Sequence, residues 1–202
     1  MVLYFRLLTL LLGVAYLFDG FFRDGISFVY YLTDWALICS VISAALLSYD
    51  SKYGLKTRVH FWVGSTFCIN CVVVVLYWQL FFKDPTLLFG KHSHLPWYRD
   101  DYLHLLGPML QSIDALFIYR AFDLQKPLTL GLYYIASGAY VVCAETIFGL
   151  PYPFMSQLSF WERVTFYEQG LVIGSIAFII GCLVSHFTHD KIQASPPLTT
   201  AN

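Results

Sequence analysis

The feature that most limits what this chain can fold into is a series of long apolar runs almost free of charge, such as 59–82, which holds no Asp, Glu, Lys or Arg. A helix needs about 20 residues to cross the hydrocarbon core of a bilayer. Six segments approach that length: 2–18, 26–48, 59–82, 97–122, 127–148 and 163–187. Only 12% of the 202 residues are charged, about half the share of an ordinary globular domain. The spacing therefore predicts an all-α integral membrane bundle of six transmembrane helices over 1–189, with a disordered tail over 190–202.

The first run is short, but it lacks a small-residue cleavage site and ends in "YLFDGFFRDG", so it reads as a retained helix rather than a signal peptide. Connections such as "SYDSKYGLKTR" and "FDLQKP" carry the Gly, Pro and charge that end helices. The five cysteines, Cys39, Cys68, Cys71, Cys143 and Cys182, all fall inside apolar runs and read as small hydrophobes, not a disulfide framework. A net charge of −1 gives no reason to expect nucleic acid as a partner. An even number of spans puts both termini on one side. Seven of the twelve Lys and Arg residues, Lys52 and Lys191 among them, lie on that side's segments, and the positive-inside rule then makes it cytosolic. Trp62, Trp78, Trp97 and Trp161 fall near span ends, as interfacial residues do.

Polar groups inside spans are costly and each needs a reason. Counted from Ile26, Thr33 lies roughly 10 Å along the second span; counted from Pro96, His104 lies roughly 12 Å along the fourth. Both spans start on the same side, so hydroxyl and imidazole reach one level. A threonine hydroxyl becomes a useful nucleophile when a neutral imidazole takes its proton. Asp101, one turn before His104, is a candidate to fix the ring, with Glu145 and Glu168 coming to the same side. Asp34 should not share a face with Thr33, since adjacent helical residues point about 100° apart. Asn70, near mid-depth in the third span, is the side-chain amide nominated to stabilise an oxyanion. Against this, a lone Thr in a span usually bonds its own helix and a lone His often makes an interhelical contact. From the residues alone, packing outweighs catalysis.

The loop "GKHSHLPWYRDDYLH" brings His92, His94, Asp101 and His104 together in sequence, and "HFTH" adds His186 and His189 at the other face. Six histidines split between two faces do not supply the clustered boxes of a di-iron site, so neither a catalytic metal nor another cofactor is expected.

Several stretches resemble the androgen-induced gene family of small multipass proteins, which includes the androgen-dependent TFPI-regulating protein and fungal relatives. They are "YLT" at Tyr31 to Thr33, "VVVVLYWQLFFKDPTLLF", "DDYLHLLGP" and "GLPYPFM". Asp100 and Asp101 stand where relatives usually have Asn and His. The resemblance implies a threonine hydrolase of fatty acid esters of hydroxy fatty acids, with Thr33 as nucleophile and His104 as base. It implies a lipid ester substrate arriving from the bilayer and no cofactor. Two other readings stay open: a non-catalytic lipid-binding or regulatory membrane protein, and a small transporter using Asp114, Glu145 and Glu168. The sequence has no N-x-S/T sequon, and with no cleavable signal the expected residence is the endoplasmic reticulum or another internal membrane.

Overall fold

A computed structural model describes residues 1–53, 59–89 and 96–193. Among them every regular element is a helix. The chain runs through α1 (Val2–Asp24), a 3-10 segment (Gly25–Tyr30), α2 (Leu32–Tyr53) and α3 (His60–Lys83). After a helical turn at Thr86–Phe89 comes α4 (97–118), which alternates α-helical Trp97–Asp101 and Gly107–Ile113 with π-helical Tyr102–Leu106 and Asp114–Ile118. Then come α5 (Lys126–Thr146), a 3-10 segment (Pro153–Gln157) and α6 (Phe160–Gln193).

Five of these stretches are long and apolar enough to cross a membrane: Val2–Tyr30, Leu32–Tyr53, His60–Lys83, Lys126–Thr146 and Phe160–Thr188. The segment expected as the fourth of six spans, 97–122, is not among them. It carries Arg99, Asp100, Asp101 and Asp114, and two π-helical turns break it. Two boundaries also move. The second span starts at Leu32 rather than Ile26, because Gly25 takes a left-handed φ of 58° and the chain then coils as a 3-10 turn. The last helix continues to Gln193, so 190–193 are helical rather than part of a disordered tail; 194–202 lie outside the described residues.

Local chemistry explains the ends. Asp84 precedes Pro85, is pushed out of the α region (φ −168°, ψ 110°) and closes α3. Pro127 occupies the first turn of α5, where its missing N–H costs nothing. Ser159 and Glu162 form a reciprocal capping box at the start of α6: the Ser159 N–H donates to Glu162 Oε2 at 2.7 Å, and the Glu162 N–H donates to Ser159 Oγ at 3.4 Å.

Helix α3 is the axis of the bundle. Half of its span is buried (50%), against 11% for α1, and it touches α2, α4, α5 and α6. Val63, Phe67, Cys68, Val72 and Leu76 form the centre of the core with Phe122 and Tyr133. Gly174 lets α6 approach α5: a Cβ there would sit 2.1 Å from the Tyr133 ring, whose hydroxyl donates to the Gly170 carbonyl at 2.8 Å. The outer faces stay apolar, with Leu7, Leu8 and Leu11 on α1 and Ile176, Ile179 and Ile180 on α6 all exposed. Such a surface suits lipid rather than water.

Candidate active site

Thr33 is the second residue of α2. Tyr31 is extended (φ −97°, ψ 138°), and the first turn closes when the Asp34 and Trp35 N–H groups donate to the Tyr31 carbonyl. Thr33 is thus not two turns inside a helix, as counting from Ile26 implied. It lies at a helix start covered by the α5–α6 connection, where the Tyr152 and Tyr31 rings meet edge to face with centroids 5.5 Å apart.

His104 sits in the middle of the first π-helical turn of α4, which the Gly107 N–H closes by donating to the Tyr102 carbonyl five residues back. Pro108 causes a second irregularity. It has no N–H to give the His104 carbonyl four residues before it, and the Trp78 indole N–H donates there instead at 3.0 Å. A helix interruption satisfied from a neighbouring helix is a recurrent feature of functional sites.

The two side chains meet. Thr33 Oγ1 is 3.3 Å from His104 Nε2. On the other side of the ring, His104 Nδ1 lies 3.0 Å from Asp100 Oδ1 and 3.0 Å from the Asp100 carbonyl oxygen. With Nδ1–H donating to these oxygens, Nε2 is left as the acceptor for the threonine hydroxyl. Tyr77 completes the support: its hydroxyl donates to Asp100 Oδ2 at 2.5 Å, and its ring stacks on the imidazole at 3.5 Å between centroids. His104 is only 4% exposed, and Tyr77 5%. The result is a hydroxyl–imidazole–carboxylate chain with its ring clamped from two directions.

The chain opens into a cavity of about 440 Å³. Apolar side chains from three helices line most of it, including Val72, Leu76, Leu80, Tyr133 and Leu171, while Arg23, Asp24, Asp34 and Arg99 supply charge. Arg99, 2% exposed, pairs with Asp24 at 3.0 Å and lies 3.8 Å from Asp19. Asp34 lines the same cavity as Thr33, contrary to the argument from helical angles. At a helix end the cavity wraps around the first turn, so side chains about 100° apart both reach it. One oxygen of the buried Asp34 carboxyl has no protein partner.

Three of the four supporting residues read from the sequence are placed elsewhere, and the fourth, Asn70, shares only a smaller pocket with Thr33. Asp101 is exposed, and the imidazole is held by Asp100, one full i,i+4 step away. Asn70 gives its amide hydrogens to Ser40 Oγ (2.9 Å) and the Thr66 carbonyl (3.0 Å) and does not line the large cavity. Glu145 is held by Arg163 at 2.9 Å and 3.0 Å and by the Tyr167 hydroxyl at 2.7 Å, which ties α5 to α6. Glu168 is exposed on α6. Asp114 is buried against Arg6, with two contacts of 2.7 Å and 2.8 Å. His92 and His94 lie outside the described residues.

Sequence reasoning missed Asp100, Tyr77 and Tyr152. For Asp100 a signal existed, since i−4 and i−3 are both neighbours of His104 on a helix. The two tyrosines, 27 and 48 positions from His104, lie in the quoted stretches "VVVVLYWQLFFKDPTLLF" and "GLPYPFM", but nothing in those stretches placed them at the site.

Fold and site together define an all-helical integral membrane protein with a Thr–His–Asp chain at the wall of an internal, largely apolar cavity. The model of the FAR-17a/AIG1-like protein family matches residues 21–186, so the chain belongs to that family, the androgen-induced gene family that its motifs resemble. No curated protein and no solved structure matches it significantly.

Proposed function

We propose that this protein is a membrane-embedded hydrolase of lipid esters, with fatty acid esters of hydroxy fatty acids as its substrate class. It crosses the endoplasmic reticulum or another internal membrane six times, with α4 as the additional span. The observation that carries the reading is the contact between Thr33 Oγ1 and His104 Nε2, with Asp100 behind the ring, at the wall of a lipid-sized cavity.

The chemistry follows from that chain. Nε2 takes the hydroxyl proton as Oγ1 attacks the ester carbonyl, and the imidazolium gains charge facing the Asp100 carboxylate. The tetrahedral intermediate collapses, and His104 returns the proton to the departing alkoxide, which leaves as a hydroxy fatty acid. A water, deprotonated by the same Nε2, attacks the threonyl ester. Its second collapse frees the fatty acid and restores Thr33. An apolar cavity within an apolar bundle lets the substrate arrive sideways from the bilayer, with no soluble binding domain.

The transporter reading finds less support. Asp114 and Glu145 are neutralised by Arg6 and Arg163, and Glu168 faces outward.

The test is labelling of the purified protein by a serine/threonine-directed fluorophosphonate, alongside lipid-ester hydrolysis. Thr33→Ala should abolish both while the protein still folds, and Thr33→Ser should keep part of each. His104→Ala should cost about as much as Thr33→Ala, and the double variant little more, since residues acting as one unit lose function together. Full hydrolysis by folded Thr33→Ala would sink the mechanism.

A further inference from the structure

The cavity beside Thr33 has two unlike ends. Its rim is charged, because Arg23 and Asp24 end α1 and Arg99 follows Pro96 at the start of α4. Its inner end is formed by Val72 on α3, Tyr133 on α5 and Leu171 on α6. Val72 lies eleven residues from Lys83, Tyr133 thirteen from Thr146 and Leu171 eleven from Phe160. At about 1.5 Å per residue, these positions are roughly 16–20 Å in from three helix ends on one side of the bundle. His104 and its stacked partner Tyr77 lie seven residues from Trp97 and six from Lys83, so roughly 9–11 Å in. The inner end is blind. The next inward positions, Cys68, Thr129 and Ala177, are all buried and line no part of the cavity. Tyr133 crosses there from α5 to α6: its hydroxyl donates to the Gly170 carbonyl at 2.8 Å, and its ring fills the space over Gly174.

We propose that the inner end of this cavity is an acyl-chain pocket with Tyr133 as its floor, so that this ring sets the length of acyl chain the site accepts. The assignment rests on the hydrolase reading above. The floor lies roughly 6–10 Å beyond the Thr33–His104 pair. An extended carbon chain, with bonds of ~1.5 Å at about 111°, advances about 1.25 Å per carbon. A chain of about five to eight carbons therefore reaches Tyr133. The rim suits the other half of the ester. A carboxylate on the alcohol part stays at the charged end, because the inner end offers it no partner. A chain already in the bilayer gains little on entering another apolar space. Length is therefore discriminated by fit against the floor, and Tyr133, tied to α6 by its hydroxyl and seated over Gly174, has no room to yield. The substrate class narrows to esters of medium-chain acids with hydroxy acids.

The experiment measures kcat/KM of the purified protein on two ester series. In the first, one hydroxy fatty acid carries a butanoyl, octanoyl, dodecanoyl or hexadecanoyl group. In the second, the octanoyl group is fixed and the hydroxy acid lengthens. Wild-type protein should accept butanoyl and octanoyl esters and lose about 10-fold or more at dodecanoyl, the scale on which a closed pocket rejects surplus methylenes. The second series should show no such break. Tyr133→Leu lowers the floor and should move the break beyond dodecanoyl. Leu171→Trp raises it and should move the break below octanoyl, which keeps the floor under test even if Tyr133→Leu misfolds. The assignment is overturned by a wild-type acyl series without a break, by a break in the hydroxy-acid series instead, or by folded, active variants that keep the wild-type break. Thr33→Ala separates it from the hydrolase reading. Hydrolysis that survives in folded Thr33→Ala protein refutes the hydrolase, whereas hydrolysis lost there, with a break that the floor variants do not move, refutes only the role of Tyr133.

Discussion

At the scale of single residues, the site is decided by which neighbour holds the imidazole. Asp100 and Asp101 both lie one helical turn from His104, and local geometry does not choose between them. The choice is tertiary: Tyr77, on α3, donates its hydroxyl to Asp100 and stacks its ring on His104, while Asp101 faces outward. Asp100→Asn should lower kcat by about 10²–10⁴-fold, as loss of an imidazole-orienting carboxylate does elsewhere. Asp101→Asn should leave hydrolysis and thermal stability near wild type. Kinetics on the two purified variants reads this directly, and the opposite order would reassign the carboxylate. The nearness of Thr33 and His104 was legible because two apolar runs begin on the same side and carry them at similar depth, although the residues alone favoured packing and it was the family resemblance that named the pair. Asp100 was legible only as one of two choices. Tyr152 lies in the quoted stretch "GLPYPFM", but nothing there placed it at the cavity of Thr33, since a loop residue 119 positions further on joins that wall only through the fold.

At the scale of elements, α4 is the helix whose irregularity has a purpose. Pro108 withholds an N–H from the His104 carbonyl, and Trp78 replaces it from α3. His104 is thereby fixed to the most buried helix of the bundle through its own backbone. Trp78→Phe leaves that carbonyl without its donor and should cost about 1–3 kcal/mol of stability, the range for a buried unsatisfied group. Pro108→Ala should do the reverse. It restores an N–H, favours regular α-helix, and should hold or raise the melting temperature while lowering kcat, because the ring then turns away from Thr33. Melting curves and kinetics on both variants test the split; a Pro108→Ala protein of full activity would show the interruption to be incidental. Five long apolar helices were legible from composition alone. The π-helical turns were not, since periodicity describes an average helix and does not mark a single turn closed five residues back, as by Gly107 on Tyr102 and Tyr119 on Asp114. The start of α2 was misplaced for a related reason: the apolar run from Ile26 to Tyr31 looks helical by hydropathy, but Gly25 at φ 58° sets it into a tighter coil first.

At the scale of the whole molecule, the outer surface is apolar and the inside holds charge. Helix α1 is the least buried of the candidate spans; its inner face packs along α2, with Leu12, Tyr16 and Leu17 against Leu37 and Tyr102, and ion pairs lie near its two ends. Arg6 meets Asp114 and also donates to the Leu47 carbonyl at 3.0 Å, while Asp24 meets Arg99. Arg6→Met should destabilise the protein by about 3–5 kcal/mol, because it strands the buried Asp114 charge. Arg6→Met combined with Asp114→Leu should recover most of that loss. Denaturation in detergent or bicelles checks both, and a double variant no better than the single one would remove the ion pair as the cause. The pairing also has a meaning in time. Arg6 and Asp114 are separated by 108 positions, and a ribosome adding about 5–20 residues per second needs roughly 5–20 s to cover that distance. Once α2 has emerged, the Leu47 carbonyl and the Ser51 hydroxyl can accept from the guanidinium, but its counter-charge is still missing, so the newborn chain carries an unneutralised cation until its fourth helix emerges.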